Sequence, residues 1–93
     1  MAEKSRTFRK DPDATLDYGF DWSDWLQAGE TISTSVWTVG TGLTEGEDEM
    51  STSITKIWLS GGTAGETYTV SNKITTDQSR TDERSFEIIV EER

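Results

Sequence analysis

Apolar and polar residues alternate most strictly at residues 16–22, where Leu16, Tyr18, Phe20 and Trp22 fall on one side and Asp17, Gly19 and Asp21 on the other. A period of two marks a strand with one face buried and one in water. The same pattern returns later in the chain. Residues 31–39 are rich in β-branched side chains, which suit a pleated, half-buried surface, and they offer two registers. One sends Ile32, Thr34, Val36 and Thr38 inward, the other Ser33, Ser35, Trp37 and Val39. The second, with Trp37 in the core, is preferred. Residues 52–59 place Ile57 and Leu59 inward and leave Trp58 partly exposed. Tyr68, Val70, Asn72 and Ile74 share one face, and a last strand over residues 81–91 turns Phe86, Ile88 and Val90 inward.

The segments between these runs carry turn chemistry. Asp11-Pro12-Asp13 reads as a turn, because Pro12 drives Asp11 out of helical geometry. At residues 23–29 the alternation stops; Ser23 is suited to cap a single helical turn that ends at Gly29 and folds Trp25 and Leu26 over an open end. Leu43 begins a short edge piece after Gly40-Thr41-Gly42. Residues 45–50, with four acids in six, read as a solvated loop, the least ordered interior stretch. Residues 76–79 read as a hairpin loop.

Six or seven strands with turns about every eight to twelve residues predict an all-β, antiparallel two-sheet sandwich, with a small closed barrel as the second choice. The link Gly61-Gly62-Thr63-Ala64-Gly65-Glu66-Thr67 before Tyr68 sharpens this. Tyr68 opens a strand two residues before Val70, the spacing of the corner tyrosine and core residue of immunoglobulin-like domains, and Trp37 suits their third-strand tryptophan. The chain has no cysteine, so no disulfide closes the sandwich. The expected organisation is a basic, mostly flexible arm over residues 1–10, ending in a short extended piece at residues 7–9, and one immunoglobulin-like domain over residues 11–93.

Composition narrows the chemistry. Serine and threonine supply 25 of 93 residues, and 93 residues suffice for one domain that folds without a staple. The net charge is −9, distributed unevenly: Lys4, Arg6, Arg9 and Lys10 against Glu3 make the first ten residues +3, so the other 83 carry −12. Nucleic acid is a poor partner for such a chain, since phosphate neutralisation supplies most of that affinity. No apolar run is long enough to span a bilayer and no hydrophobic leader follows the basic start, so synthesis and use without membrane insertion are expected. The absence of histidine and cysteine removes the usual general base, the thiolate and most transition-metal ligands. Asp11, Asp13, Asp17, Asp21 and Asp24 lack the spacing of a calcium loop and read as solvated. No catalytic residue, metal or cofactor is expected.

The blocks DPDATLDYGFDWSDWL, ISTSVWTV, TKIWLSGGTAGETYTVSNKITT and RTDERSFEIIVEER resemble a group of short phage-encoded proteins, the phage fibre-tail adaptor family, over nearly all of the chain from residue 11 onward. The resemblance implies a non-enzymatic part of a tailed bacteriophage particle, made in the host cytoplasm and acting through contacts with other virion proteins, further copies of itself among them. Candidate contact residues are Lys4, Arg6, Arg9, Lys10, Trp25 and Trp58, with the basic arm of one copy lying on the acidic face of the next. Two other readings belong beside it. Small immunoglobulin-like phage proteins also serve as head decoration proteins, and exposed tryptophans on a β-sandwich also suit a carbohydrate-binding module.

Overall fold

The protein, described here by a computed structural model over residues 6–92, consists of seven strands. They are β1 (Arg6–Lys10), β2 (Leu16–Asp21), β3 (Ile32–Val39), β4 (Leu43–Met50), β5 (Ile54–Gly61), β6 (Thr67–Thr76) and β7 (Thr81–Val90). One sheet has the order β1-β7-β6-β3 and the other β2-β5-β4. All neighbours are antiparallel except β1 and β7, which run parallel. The two-sheet sandwich expected from the alternation is the observed fold.

The predicted inward residues meet between the sheets. Ile57, Leu59, Val70, Phe86, Ile88 and Val90 are buried, with Tyr18 and Tyr68 beside them. Trp37 takes the inward register and lies parallel to Phe20, with ring centroids 6.0 Å apart, whereas Val36 on the other face is 57% exposed. Ile32 is buried too, although strict alternation would place it with Val36. A register shift between Ile32 and Thr34 against β6 explains this, because one extra residue in a strand exchanges its faces.

A chain of hydrogen bonds crosses the core. Trp22, just past β2, donates its indole N–H to Thr55 Oγ1 on β5 and to Asn72 Oδ1 on β6, each at 3.2 Å. Thr55 Oγ1 donates to Asn72 Oδ1 at 2.7 Å, and Asn72 Nδ2 donates to Ser35 Oγ at 2.9 Å on β3. All three of Trp22, Thr55 and Asn72 are fully buried, so every polar group here must find a protein partner.

The β5–β6 connection is a tyrosine corner. The Thr63 N–H donates to Tyr68 Oη at 2.9 Å, tying the strand start to the loop five residues upstream. Gly62 has φ +96°, and a Cβ there would lie 2.7 Å from Val90 Cγ2, so the corner requires glycine for both conformation and space. Gly19 answers a different demand. A Cβ on it would collide with the Thr55 carbonyl oxygen of the adjoining strand.

Two expectations are corrected. Residues 45–50 are no loop: they belong to β4, hydrogen-bonded to β5 with a register shift between Glu45 and Asp48. Backbone pairing to β5 suffices to hold them extended while their acidic side chains stay in water. The extended end of the basic arm is longer than residues 7–9, and it is packed into the domain. Residues 6–10 form β1, with Phe8 paired to Ile88 and its ring against Tyr18 and Phe86 at 5.2 and 5.4 Å, so the domain boundary placed at residue 10 falls earlier.

Replacing Tyr68 by phenylalanine keeps the ring but leaves the Thr63 N–H without its acceptor. The expected cost is about 1 kcal/mol, read as a melting temperature lower by roughly 4–8 °C. An unchanged thermal transition would show that the corner bond does not hold the loop.

Candidate protein-interaction site

Beyond the end of β2 the chain folds back as expected, with the Trp25 and Leu26 N–H groups both donating to the Trp22 carbonyl. Trp25 packs edge-on against Trp22, ring centroids 5.8 Å apart, and is half-buried. What holds it there is an ion pair that the alternation alone did not suggest. The Glu30 carboxylate is buried and receives hydrogen bonds from Arg80 Nε at 2.9 Å, from Arg80 Nη2, from the Thr76 hydroxyl and from the Gln27 N–H at 2.9 Å. The Arg80 guanidinium lies 4.1 Å from the Trp25 ring centroid and donates to the Trp25 carbonyl at 3.2 Å. Arg84 does the same on the inner ring, 4.2 Å from the centre of Trp22, while its Nη2 reaches Asp24 at 3.4 Å. Arg84, Trp22, Trp25 and Arg80 therefore form one run of cation–π and ring contacts that closes this end of the sandwich.

These bonds set the charge state of Glu30. The Arg80 guanidinium, with help from the Gln27 N–H and Thr76, holds its carboxyl well below the usual 4.5, at about 2, against the opposing effect of burial. Arg80 is correspondingly shifted up, chiefly by Glu30. The sequence did carry a signal for Arg84: the inward alternation of Phe86, Ile88 and Val90 continues backward to it. Glu30 had none, since it follows Gly29 in a loop.

The other sequence candidates lie apart from one another. Trp58 is half-buried on the outer face of the β2-β5-β4 sheet, across from Asp17, with Lys56 Nζ 5.9 Å from its ring centroid. Asp21 and Glu49 flank Lys56 and its neighbours on that same face. Arg6 is exposed, and Arg9, also exposed, pairs with Glu91 at 3.2 Å. Lys4 lies outside the described residues. Lys10 is the correction. Its side chain is 0% exposed, with Nζ donating to the Gly61 carbonyl at 2.7 Å and the Asp11 carbonyl at 2.9 Å, and burial pushes its pKa down. It locks β1 to the tyrosine corner and is no surface contact.

The aspartates serve local ends. Asp11 accepts from the Asp13 N–H at 2.8 Å and Asp21 from the Ser23 N–H at 3.0 Å; the Ser23 hydroxyl, with that N–H, draws the Asp21 pKa down. Among the described residues no three acidic side chains gather as metal ligands.

Strand order and corner define an immunoglobulin-like β-sandwich. The family described as Podophage GP4 fiber-tail adaptor protein gp77 matches residues 10–89, most of the chain, and the protein belongs to that family. No curated protein matches it. Among solved structures, the solution structure of the PKD domain from KIAA 1837 protein is similar, with a TM-score of 0.53 and 16% identity over 100% of this chain and 85% of that one. At that identity the likeness shows the fold alone.

The depressed Glu30 pKa has a stability consequence. A carboxylate whose folded pKa lies below its unfolded value stabilises the fold fully above about 4.5, and that contribution is lost as pH falls through about 2. Acid unfolding of the wild type therefore steepens in that window. Glu30→Gln should lower the melting temperature at neutral pH and flatten the decline between pH 4.5 and pH 2. Parallel curves for the two proteins would rule out the Glu30–Arg80 pair as the group responsible.

Proposed function

We propose that this protein is a structural, non-enzymatic component of a tailed bacteriophage particle, an adaptor of the tail and fibre region that works through contacts with other virion proteins. The family match carries this reading. The chain supports it from below. It has no histidine or cysteine, and the buried side chains of Lys10, Glu30, Thr55, Asn72 and Thr76 each have hydrogen-bond partners within the fold, while Tyr18 Oη and Trp37 Nε1 are buried without one. Its unspent chemistry is charge on the surface. Made in the host cytoplasm, it acts in the virion, with neither nucleic acid nor membrane as its partner.

The contact residues we assign are Arg6 and Lys4 at the basic start, with Trp25 and Trp58 as the aromatic groups still accessible. Arg9 contributes through its exposed pair with Glu91. A sugar-binding platform has less support. Trp22 is buried, Trp37 packs in the core, and Trp25 and Trp58 stand on different surfaces, so no two rings combine into one stacking face.

Gold-labelled antibody against the protein, applied to particles of the phage that encodes it, is expected to mark the tail and fibre end. Label on the head would transfer the assignment to a decoration role, and unlabelled particles would overturn the virion reading. Deleting residues 1–5, which lie before β1, should weaken attachment to particles and leave the melting temperature unchanged. Undiminished attachment of that variant would remove the basic start from the contact.

A further inference from the structure

The two sheets expose four edges, and their charges differ. β3 carries no charged residue, β2 carries Asp17 and Asp21, β4 carries Glu45, Glu47, Asp48 and Glu49, and β1 carries Arg6, Arg9 and Lys10. The basic edge and the most acidic edge lie on opposite flanks, since β1 and β3 bound the same sheet and β4 adjoins β3.

β4 has the form of an acceptor. Every residue but Leu43 is exposed, on both faces, including Asp48 and Met50, which sit opposite the inward Ile57 and Thr55. The other sheet thus leaves this strand uncovered, and β5 is its only strand neighbour among the described residues. Apolar surface is exposed at the same hairpin, where Met50 and Ile54 are each 47% exposed. β1 is a short strand with one neighbour, β7, and its exposed residues are Arg6, Thr7 and Arg9.

We infer that the β4 edge of one copy pairs with the β1 edge of a second copy of this chain. The inference rests on the reading of the protein as an assembling virion component. Charge selects the pairing. Two β4 edges would oppose four carboxylates to four, and two β1 edges would oppose arginines, so both self-matched dimers are disfavoured. Only the unlike edges attract. Because they lie on opposite flanks, the contact is head-to-tail, and such a contact builds a closed ring or an open filament according to the rotation between copies. Main-chain pairing along a strand edge supplies adhesion, and the opposite charges supply its selectivity.

Two variants test this by exchanging signs. Arg6→Glu with Arg9→Glu makes the exposed charges of the β1 edge acidic, while Glu45→Lys, Glu47→Lys and Asp48→Lys together make the β4 edge basic. Sedimentation velocity in about 20 mM salt should show wild-type mass rising with concentration and falling back in about 500 mM salt, where charges are screened within a few ångströms. Each variant alone should stay monomeric, because its two edges then share a sign. An equimolar mixture of the two should regain the association, since each supplies the edge the other lacks. Wild-type protein that remains monomeric, variants that associate like wild type, or a mixture that stays monomeric would each overturn the pairing. Should a variant fail to fold, amide exchange on wild type decides the matter: amides of β1 and β4 must slow on concentration in low salt, and unchanged rates there defeat the inference. Gold label on the tail together with a monomeric wild type would sink the edge pairing and leave the adaptor reading standing.

Discussion

Two sheets with no disulfide between them must be held in register by packing and hydrogen bonding, and in this molecule the Trp22–Thr55–Asn72 network meets that demand. Trp22 and Thr55 belong to the β2-β5-β4 side and Asn72 to the other, so the bonds at 2.7 and 3.2 Å cross the sandwich. A slip of either sheet by one residue would leave an indole N–H and a carboxamide buried without partners, which costs more than the bonds themselves contribute. The apolar residues around the network supply the bulk of the stabilisation, but they tolerate sliding. The polar atoms do not. Arg84, stacked on the other side of Trp22, extends the constraint to the closed end.

The rest of the architecture follows from that fixed centre. The tyrosine corner positions β6, Lys10 joins β1 to the same corner through the Gly61 carbonyl, and Glu30 with Arg80 fastens the loop carrying Trp25. The buried charges Lys10 and Glu30 and the Trp22–Thr55–Asn72 network are thus all engaged in holding the fold. The surface is divided by sign, basic at β1 and acidic over β4 and the outer sheet face.

Much of this was legible in the sequence. The inward positions of β2, β5, β6 and β7 follow from alternation, and Tyr68 with Val70 marked the corner. The unread parts have physical causes. β4 is extended because β5 pairs with its backbone, and four acids in six residues look like a loop to any propensity argument even though an edge strand can keep them all wet. The extended end of the arm could be read, but its docking as β1 could not: only Phe8 signals a core contact, and the burial of Lys10 depends on two carbonyl oxygens, Asp11 and Gly61, one of them 51 positions away. The Glu30–Arg80 pair is equally non-local, and no period along the chain encodes it. For the interaction site, sequence singled out Arg6 and Trp58 on exposed or half-exposed positions, but it ranked Lys10 with them because charge alone does not report burial.

The central claim is that the polar network, over and above the packing around it, couples the two sheets. A double-mutant cycle with Trp22→Phe and Asn72→Leu, followed by urea unfolding of the four proteins, measures that coupling. The account predicts an interaction energy between the two positions of about 1–3 kcal/mol, the range found for residues sharing one hydrogen-bond network. Additive effects, with a coupling indistinguishable from zero, would contradict it and leave apolar packing alone to hold the sandwich together.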